Sequence, residues 1–140
     1  MIKFTVLGEP VAQGRPRFTT FSGFPRAYDP KKSSDYKDYI KLAAREYAPS
    51  VLLDGPLELQ VRVFRSTPKS FSKKKASAAE AGNIVPVSKP DVDNYLKGIK
   101  DALKGIIWRD DSQVVDAFAS KRYSAKPRIE IVIIPFEKGL

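Results

Sequence analysis

Asp91 and Asp93 stand two residues apart in "KPDVDNYLK", Lys97 follows four residues after the second, and Asp110 and Asp111 stand side by side after Trp108. With Asp101, five aspartates fall between Lys89 and Asp111, in a chain that carries 25 Lys and Arg against 16 Asp and Glu. Each acid has a bland explanation. Asp91 can cap a helix, Asp93 can sit at the positive end of its dipole, Asp101 can pair with Lys97 at i, i+4, and "RDD" can make a turn. Together they ask for more, because a cap needs one aspartate rather than two at i and i+2. Mg²⁺ takes one or two carboxylates together with water and phosphate oxygens. Carboxylates inside a basic chain therefore fit metal-assisted phosphodiester hydrolysis, in which cations hold a polyanion and acids hold the metal that activates water. Lys97, one helical turn after Asp93, would then lie beside the scissile phosphate and offset developing charge. A calcium loop does not fit "DVDN": counted from Asp91, its glycine position is Leu96 and its terminal glutamate position is Ala102.

The charge is uneven along the chain. Residues 1–90 hold 16 Lys and Arg against 8 Asp and Glu, whereas residues 91–140 hold 9 against 8. The net charge of +9 favours a polyanionic partner, which makes the acidic cluster the less expected feature. With no cysteine and no histidine, thiolate nucleophiles, histidine-based triads and imidazole or thiolate zinc sites are all excluded. Apolar residues at 42% and aromatics at 11% argue for a packed core rather than disorder. A length of 140 residues suits one domain, 1–140. No run reaches the roughly 18 apolar residues of a membrane span, and "MIKFTVLGEP" reads as a strand rather than a signal peptide. The expectation is a cytoplasmic protein without membrane attachment.

The elements that must position the acids follow from periodicity. "IKFTVLG" alternates, and so does "GPLELQVRVF", with Leu57, Leu59, Val61 and Val63 inward. "KKSSDYKDYIKLAAREYA" has helical spacing and stops before Pro49, and "SKKKASAAEAG" reads as a short exposed helix stopped by Gly82. A further helix begins near Asp91, after Pro90, and runs to about Gly105. Leu96, Ile99, Leu103 and Ile106 gather on one side of it, and Asp93, Lys97, Asp101 and Lys104 on the other. "VVDAFASKRY" and "RIEIVIIPF" are two more strands, close enough in sequence for a hairpin across Ser124–Pro127. The order β, α, β, α, α, β, β predicts an α+β fold, a mixed β-sheet covered by helices. "DVD" at a helix start and "DD" at a strand start converge if that strand passes beside the helix N-terminus.

Candidate DNA contacts lie in the basic half. Arg15 and Arg17 sit on a Pro/Gly-rich connection ahead of Phe18, and Arg26 returns after a stretch that fits a short hairpin around Ser22-Gly23. The phenylalanines Phe18, Phe21 and Phe24 serve equally well as a wedge at unpaired bases or as anchors to the core. Lys69, Lys73, Lys74 and Lys75 form a second basic group, readable also as a solvated helix face. Lys121 is a further candidate DNA contact, and of Lys121 and its strand neighbour Arg122 one should face the acidic cluster and one away.

The stretch "KPDVDNYLKGIKDALKGIIWRDDSQVVDAFASKRY" resembles the signature of the RusA family of Holliday junction resolvases, found in bacteria and prophages. The pattern D-x-D-N-x-x-K, D-A-L, an aromatic and D-D-x-Q-V is met by Asp91, Asp93, Asn94, Lys97, Asp101-Ala102-Leu103, Trp108, Asp110-Asp111, Gln113 and Val114. The resemblance is close over residues 86–123 and weaker in the N-terminal half. It implies a homodimeric, Mg²⁺-dependent endonuclease, with Mn²⁺ as substitute, that nicks four-way DNA junctions symmetrically. It matches the metal-site acids to Asp91, Asp93 and Asp111 and the catalytic lysine to Lys97. Asp110 and Asp101 are assigned supporting or structural roles, Asp101 paired with Lys97 or Lys104. Two other readings remain: a metal-dependent nuclease of flaps or forks, and a catalytically silent nucleic-acid-binding protein.

Overall fold

Period-two alternation of apolar residues builds one face of a sheet. The structure, a computed structural model, describes residues 1–14 and 31–136 in full and the backbone of residues 17–19 and 26–28. Strands β1 (Ile2–Leu7), β4 (Leu57–Ser66), β5 (Val114–Ser124) and β6 (Arg128–Pro135) form a four-stranded sheet in the order β1-β6-β4-β5. β4 runs parallel to β5 and antiparallel to β6, and β1 runs antiparallel to β6. Two short strands, β2 (Arg17–Thr19) and β3 (Arg26–Tyr28), pair antiparallel. They flank the turn expected at Ser22-Gly23, which itself lies outside the described residues.

The α+β class is as the sequence predicts, a mixed sheet with three α-helices among the described residues. Phe4, Val6, Leu57, Leu59, Val61, Val63, Ile129, Ile131 and Ile133 are all buried on one face. They pack with Tyr36, Ile40 and Ala44 of α1 (Lys31–Arg45) and with Tyr95, Ile99, Ala102 and Leu103 of α3 (Val92–Leu103). The opposite face carries a polar ladder in which Gln60 donates to Glu58 and Arg62 to Gln60. Helix α2 (Lys73–Glu80) starts at Ser72, whose hydroxyl accepts from Lys75 N, and its Glu80 carboxylate accepts from Ser124 Oγ and Ala125 N at the end of β5.

The hairpin expected across Ser124–Pro127 does not form. β5 and β6 flank β4 on opposite sides, so their connection crosses the end of β4, where Thr67 N–H donates to Ser124 O. Three residues, 125–127, suffice, because the crossing is only two strand spacings, about 10 Å. The helix carrying the acids also stops two residues earlier than expected, at Leu103. Lys104 is already extended, Gly105 turns at φ +82° and donates its N–H to Trp108 O, and Ile106 and Ile107 both donate to Leu103 O. Glycine suits that left-handed position because it has no Cβ to clash. This tight turn brings Trp108 back against the helix end, fully buried.

Candidate active site

Two elements converge on one pocket. In α3 the buried residues Tyr95, Gly98, Ile99, Ala102 and Leu103 follow i, i+3, i+4, i+7, i+8, so Asp93, Asn94, Lys97 and Asp101 are turned outward. The second element is the 3₁₀ turn Asp111–Gln113, which leads straight into β5. Asp93, Leu96, Lys97, Lys100, Asp101 and Asp111 together line an open pocket of about 310 Å³. The convergence of "DVD" with "DD" is therefore met for Asp93 and Asp111, with Lys97 between them in the same lining.

Asp111 is held from below. Its Oδ1 accepts the indole N–H of Trp108 at 2.9 Å, which gives the motif's aromatic a role: a buried donor that fixes one carboxylate oxygen. Gln113 holds the turn itself. Its Oε1 accepts from Arg109 N and Asp110 N, while its Nε2 donates to Leu53 O and Gly55 O at 3.0 Å each. All of its amide capacity thus ties the acidic turn to the strand-like segment before β4. Immediately after the turn, the β4–β5 register slips between Leu57 and Glu58, leaving Val115 unmatched. Such bulges bend a strand locally.

Asp110 does not point at the pocket. Its side chain caps the 3₁₀ turn by accepting from Ser112 N, and that hydrogen bond holds the carboxyl below the usual carboxylate range. Asp101 lines the pocket but pairs with Lys37 of α1 at 3.3 Å, not with Lys97 or Lys104. The interhelical partner wins because α1 packs directly beside α3 and the Lys37 side chain is 13% exposed, so it loses little freedom in pairing. Asp91 occupies the N-cap of α3, yet its side chain makes no capping bond, and it is absent from the pocket lining. Among the described residues, the side chains of Asp91, Asp93 and Lys97 have no hydrogen bond or ion pair within the chain.

Lys100 is the pocket residue that the sequence reading missed. It lies three residues after Lys97 and seven after Asp93, so helical spacing alone puts it on that side. The apolar end of the pocket is Leu96, assigned to the core stripe in the sequence but half-buried here.

The donor chemistry suits a hard divalent cation. The site offers carboxylates and no nitrogen or sulfur ligand, and Mg²⁺ uses one or two carboxylates and completes its shell with water and phosphate oxygens. Among the described residues no three acidic side chains stand close enough to form a ready-made cage. Asp93 and Asp111 fit the sparse version of such a site, and Asp91 stands at the N-cap of the helix that carries Asp93.

The basic residues fall into three groups. Residues 11–13 cross α3 closely: Gln13 N donates to Asn94 O at 3.1 Å, and a Cβ on Gly98 would stand 3.5 Å from Gln13 N. Arg15, Arg17 and Arg26 follow this crossing in sequence; Arg15 and the side chains of Arg17 and Arg26 lie outside the described residues. Lys69 is exposed, as are Lys73, Lys74 and Lys75 in the first turn of α2. None of the four lines the pocket. Three cations at a helix N-terminus oppose the dipole, an arrangement that an external polyanion would relieve. Lys121 faces the helix side of the sheet and donates to Ser88 O and Pro90 O, whereas Arg122 is exposed. One neighbour turned toward the acids and one away is the expected alternation.

Trp108→Phe tests the support under Asp111. It removes the indole donor while keeping an aromatic ring in the buried site. Cleavage of DNA by the folded variant should fall about tenfold, the lower end of what outer partners of metal ligands contribute. Thermal unfolding should register a loss of about 1–3 kcal/mol from the smaller ring. Unchanged cleavage would leave Trp108 as packing alone.

Comparison with known proteins gives two matches. Residues 8–134 match the family of endodeoxyribonuclease RusA. The chain is also 52% identical over 134 residues to the uncharacterized protein YqaN of Bacillus subtilis (strain 168), covering 94% of each chain.

Proposed function

The chain belongs to the RusA endodeoxyribonuclease family, and on that premise we propose that it is a Mg²⁺-dependent, cytoplasmic enzyme that resolves four-way DNA junctions by paired nicks. The observation that carries this reading is the pocket itself: Asp93, Asp111 and Lys97 from two separate elements line one open cleft in a chain of net charge +9. Asp93 and Asp111, joined by Asp91 from the helix N-cap, would hold the cation. A bound Mg²⁺ supplies Lewis acidity, lowering the pKa of water and neutralising the leaving oxygen. Lys97 contacts the scissile phosphate and offsets the charge that grows as the P–O bond breaks. Lys100 binds the neighbouring phosphate. Leu96 excludes water from the inner wall. The exposed lysines of α2, with Arg15, Arg17 and Arg26, hold the arms of the DNA through backbone phosphates, which fixes position without reading sequence.

Substrate choice separates this reading from that of a flap or fork nuclease with the same site. Synthetic four-way junctions, forks, flaps and linear duplexes, compared at equal concentration in Mg²⁺, should rank with the junction first. Preferential cutting of flaps or forks would reassign the substrate but keep the chemistry. Binding to all four with no cutting would identify a silent DNA-binding protein.

Two matched nicks in opposing strands are most simply made by two sites related by a dyad. A homodimer is therefore expected, and light scattering at micromolar concentration checks it. A monomeric mass with cleavage intact would remove the dimer from the account.

A further inference from the structure

The segment that delivers Asp91 to α3 is held by two cations from the sheet. Lys121 Nζ donates to Ser88 O at 2.7 Å and to Pro90 O at 3.1 Å. Arg65 Nη1 donates to the same Ser88 O at 3.2 Å, with Ser88 Oγ at 3.5 Å. In the β4–β5 register Lys121 stands opposite Val63 and Arg65 opposite Tyr123. Both therefore project on the side of the sheet where Val63 is buried and where α3 lies.

After the buried Pro86 the segment has little else to fix it: Val87, Ser88 and Lys89 are exposed, Val87 at 91%. Few buried apolar contacts leave a loop locally unstable unless polar anchors hold it. Asp91 depends on that anchoring, because its carboxylate makes no capping bond that would orient it. Its backbone is fixed on one side only by the helix, where Asn94 N and Tyr95 N donate to Asp91 O. The other side rests on the carbonyls of Ser88 and Pro90.

We propose that Lys121, together with Arg65, is a positioning residue: by clamping the carbonyls of Ser88 and Pro90 it sets where the Asp91 carboxylate stands relative to Asp93 and Asp111. Two of the three ammonium donors of Lys121 are spent on these carbonyls, and its side chain is half-buried. On this proposal Lys121 acts through the backbone it holds rather than as a phosphate contact. The proposal rests on the reading of Asp91 as a site acid.

The test uses Lys121→Met, Lys121→Arg, Arg65→Met and Asp91→Asn in the full chain. Mn²⁺ binding is read without DNA by water-proton relaxation, and metal-free binding to a four-way junction is read across a salt series. Lys121→Met should lower Mn²⁺ affinity about tenfold, as loss of an outer-shell partner does, and leave the salt slope of DNA binding unchanged. Arg65→Met should act in the same direction, and Lys121→Arg should restore most of the affinity. Unchanged Mn²⁺ affinity in Lys121→Met, with a salt slope reduced by about one, would make Lys121 a phosphate contact and overturn the clamp. Should Lys121→Met fail to fold, Arg65→Met decides alone, and unchanged Mn²⁺ affinity there overturns the proposal. Asp91→Asn separates the two possible failures. Lowered affinity in Asp91→Asn but not in the clamp variants sinks the clamp only, whereas unchanged affinity in Asp91→Asn sinks the reading on which it rests.

Discussion

Replacing Asp93 or Asp111 by Asn should lower junction cleavage roughly a thousandfold or more, about 4 kcal/mol of transition-state stabilisation, while junction binding persists. Asparagine keeps the shape and removes the negative charge. At Asp111 it also turns one hydrogen-bond acceptor toward the Trp108 indole and leaves the other end a neutral amide. The cation then lacks its anionic ligand, and water activation goes with it. Binding rests on other groups, the lysines and arginines that meet phosphates. Without metal, binding should tighten, because one of the carboxylates that otherwise repel the entering phosphate is gone. Gel-shift and single-turnover cleavage on the same preparation measure both effects. A folded Asp93→Asn or Asp111→Asn protein that cuts at near wild-type rate would return those acids to helix ends and turns. Lost binding with an intact fold would point to a site that holds DNA rather than cuts it.

Lys97→Met is expected to reduce cleavage by about a hundredfold to a thousandfold, the loss associated with one fixed group facing developing charge. Its effect on binding should be small, a reduction of the salt slope by at most about one unit for one lost phosphate contact. Lys97 is exposed, and among the described residues it has no ion pair to break. Its removal should therefore leave the unfolding temperature almost unchanged. Lys97→Arg keeps the charge but spreads it over a planar fork on a longer arm, so it should recover binding more fully than cleavage. Equal loss of binding and of cleavage would make Lys97 a general phosphate contact without a special place at the reacting atoms.

The helices and strands were legible because each has a face. β1, β4 and β6 alternate, and α3 repeats its apolar residues at helical spacing, so the sequence places Asp93, Lys97 and Asp101 on one exposed side. Pairing was less legible. Sequence proximity favours a β5–β6 hairpin, yet β4 has an apolar row long enough to accept a neighbour along each edge, and it separates them. The partner of Asp101 was hidden for a related reason. An i, i+4 lysine is visible in the sequence, whereas Lys37 arrives from a helix 64 residues away.

Within the site, residue types pointed to acids and a lysine but not to what supports them. Gln113 and Trp108 are prominent in the motif, but their roles appear only when Leu53, Gly55 and Asp111 are brought against them. What engages Lys121 within the chain was not legible either. A lysine in a basic chain invites assignment to DNA, while two backbone carbonyls, which no sequence pattern marks, engage it here. Asp110 was separable from Asp111 only by geometry, since the pair is adjacent in sequence but one caps the turn and the other lines the pocket.

The most direct measurement is single-turnover cleavage of a four-way junction labelled on opposing strands, run in Mg²⁺, in Ca²⁺ and in excess EDTA. Mg²⁺ or Mn²⁺ should give paired nicks at symmetric positions. Ca²⁺, larger and less strict in geometry, should allow binding with little turnover, and EDTA should abolish cutting while leaving the complex intact. Undiminished paired nicking in excess EDTA would contradict the metal site built on Asp91, Asp93 and Asp111.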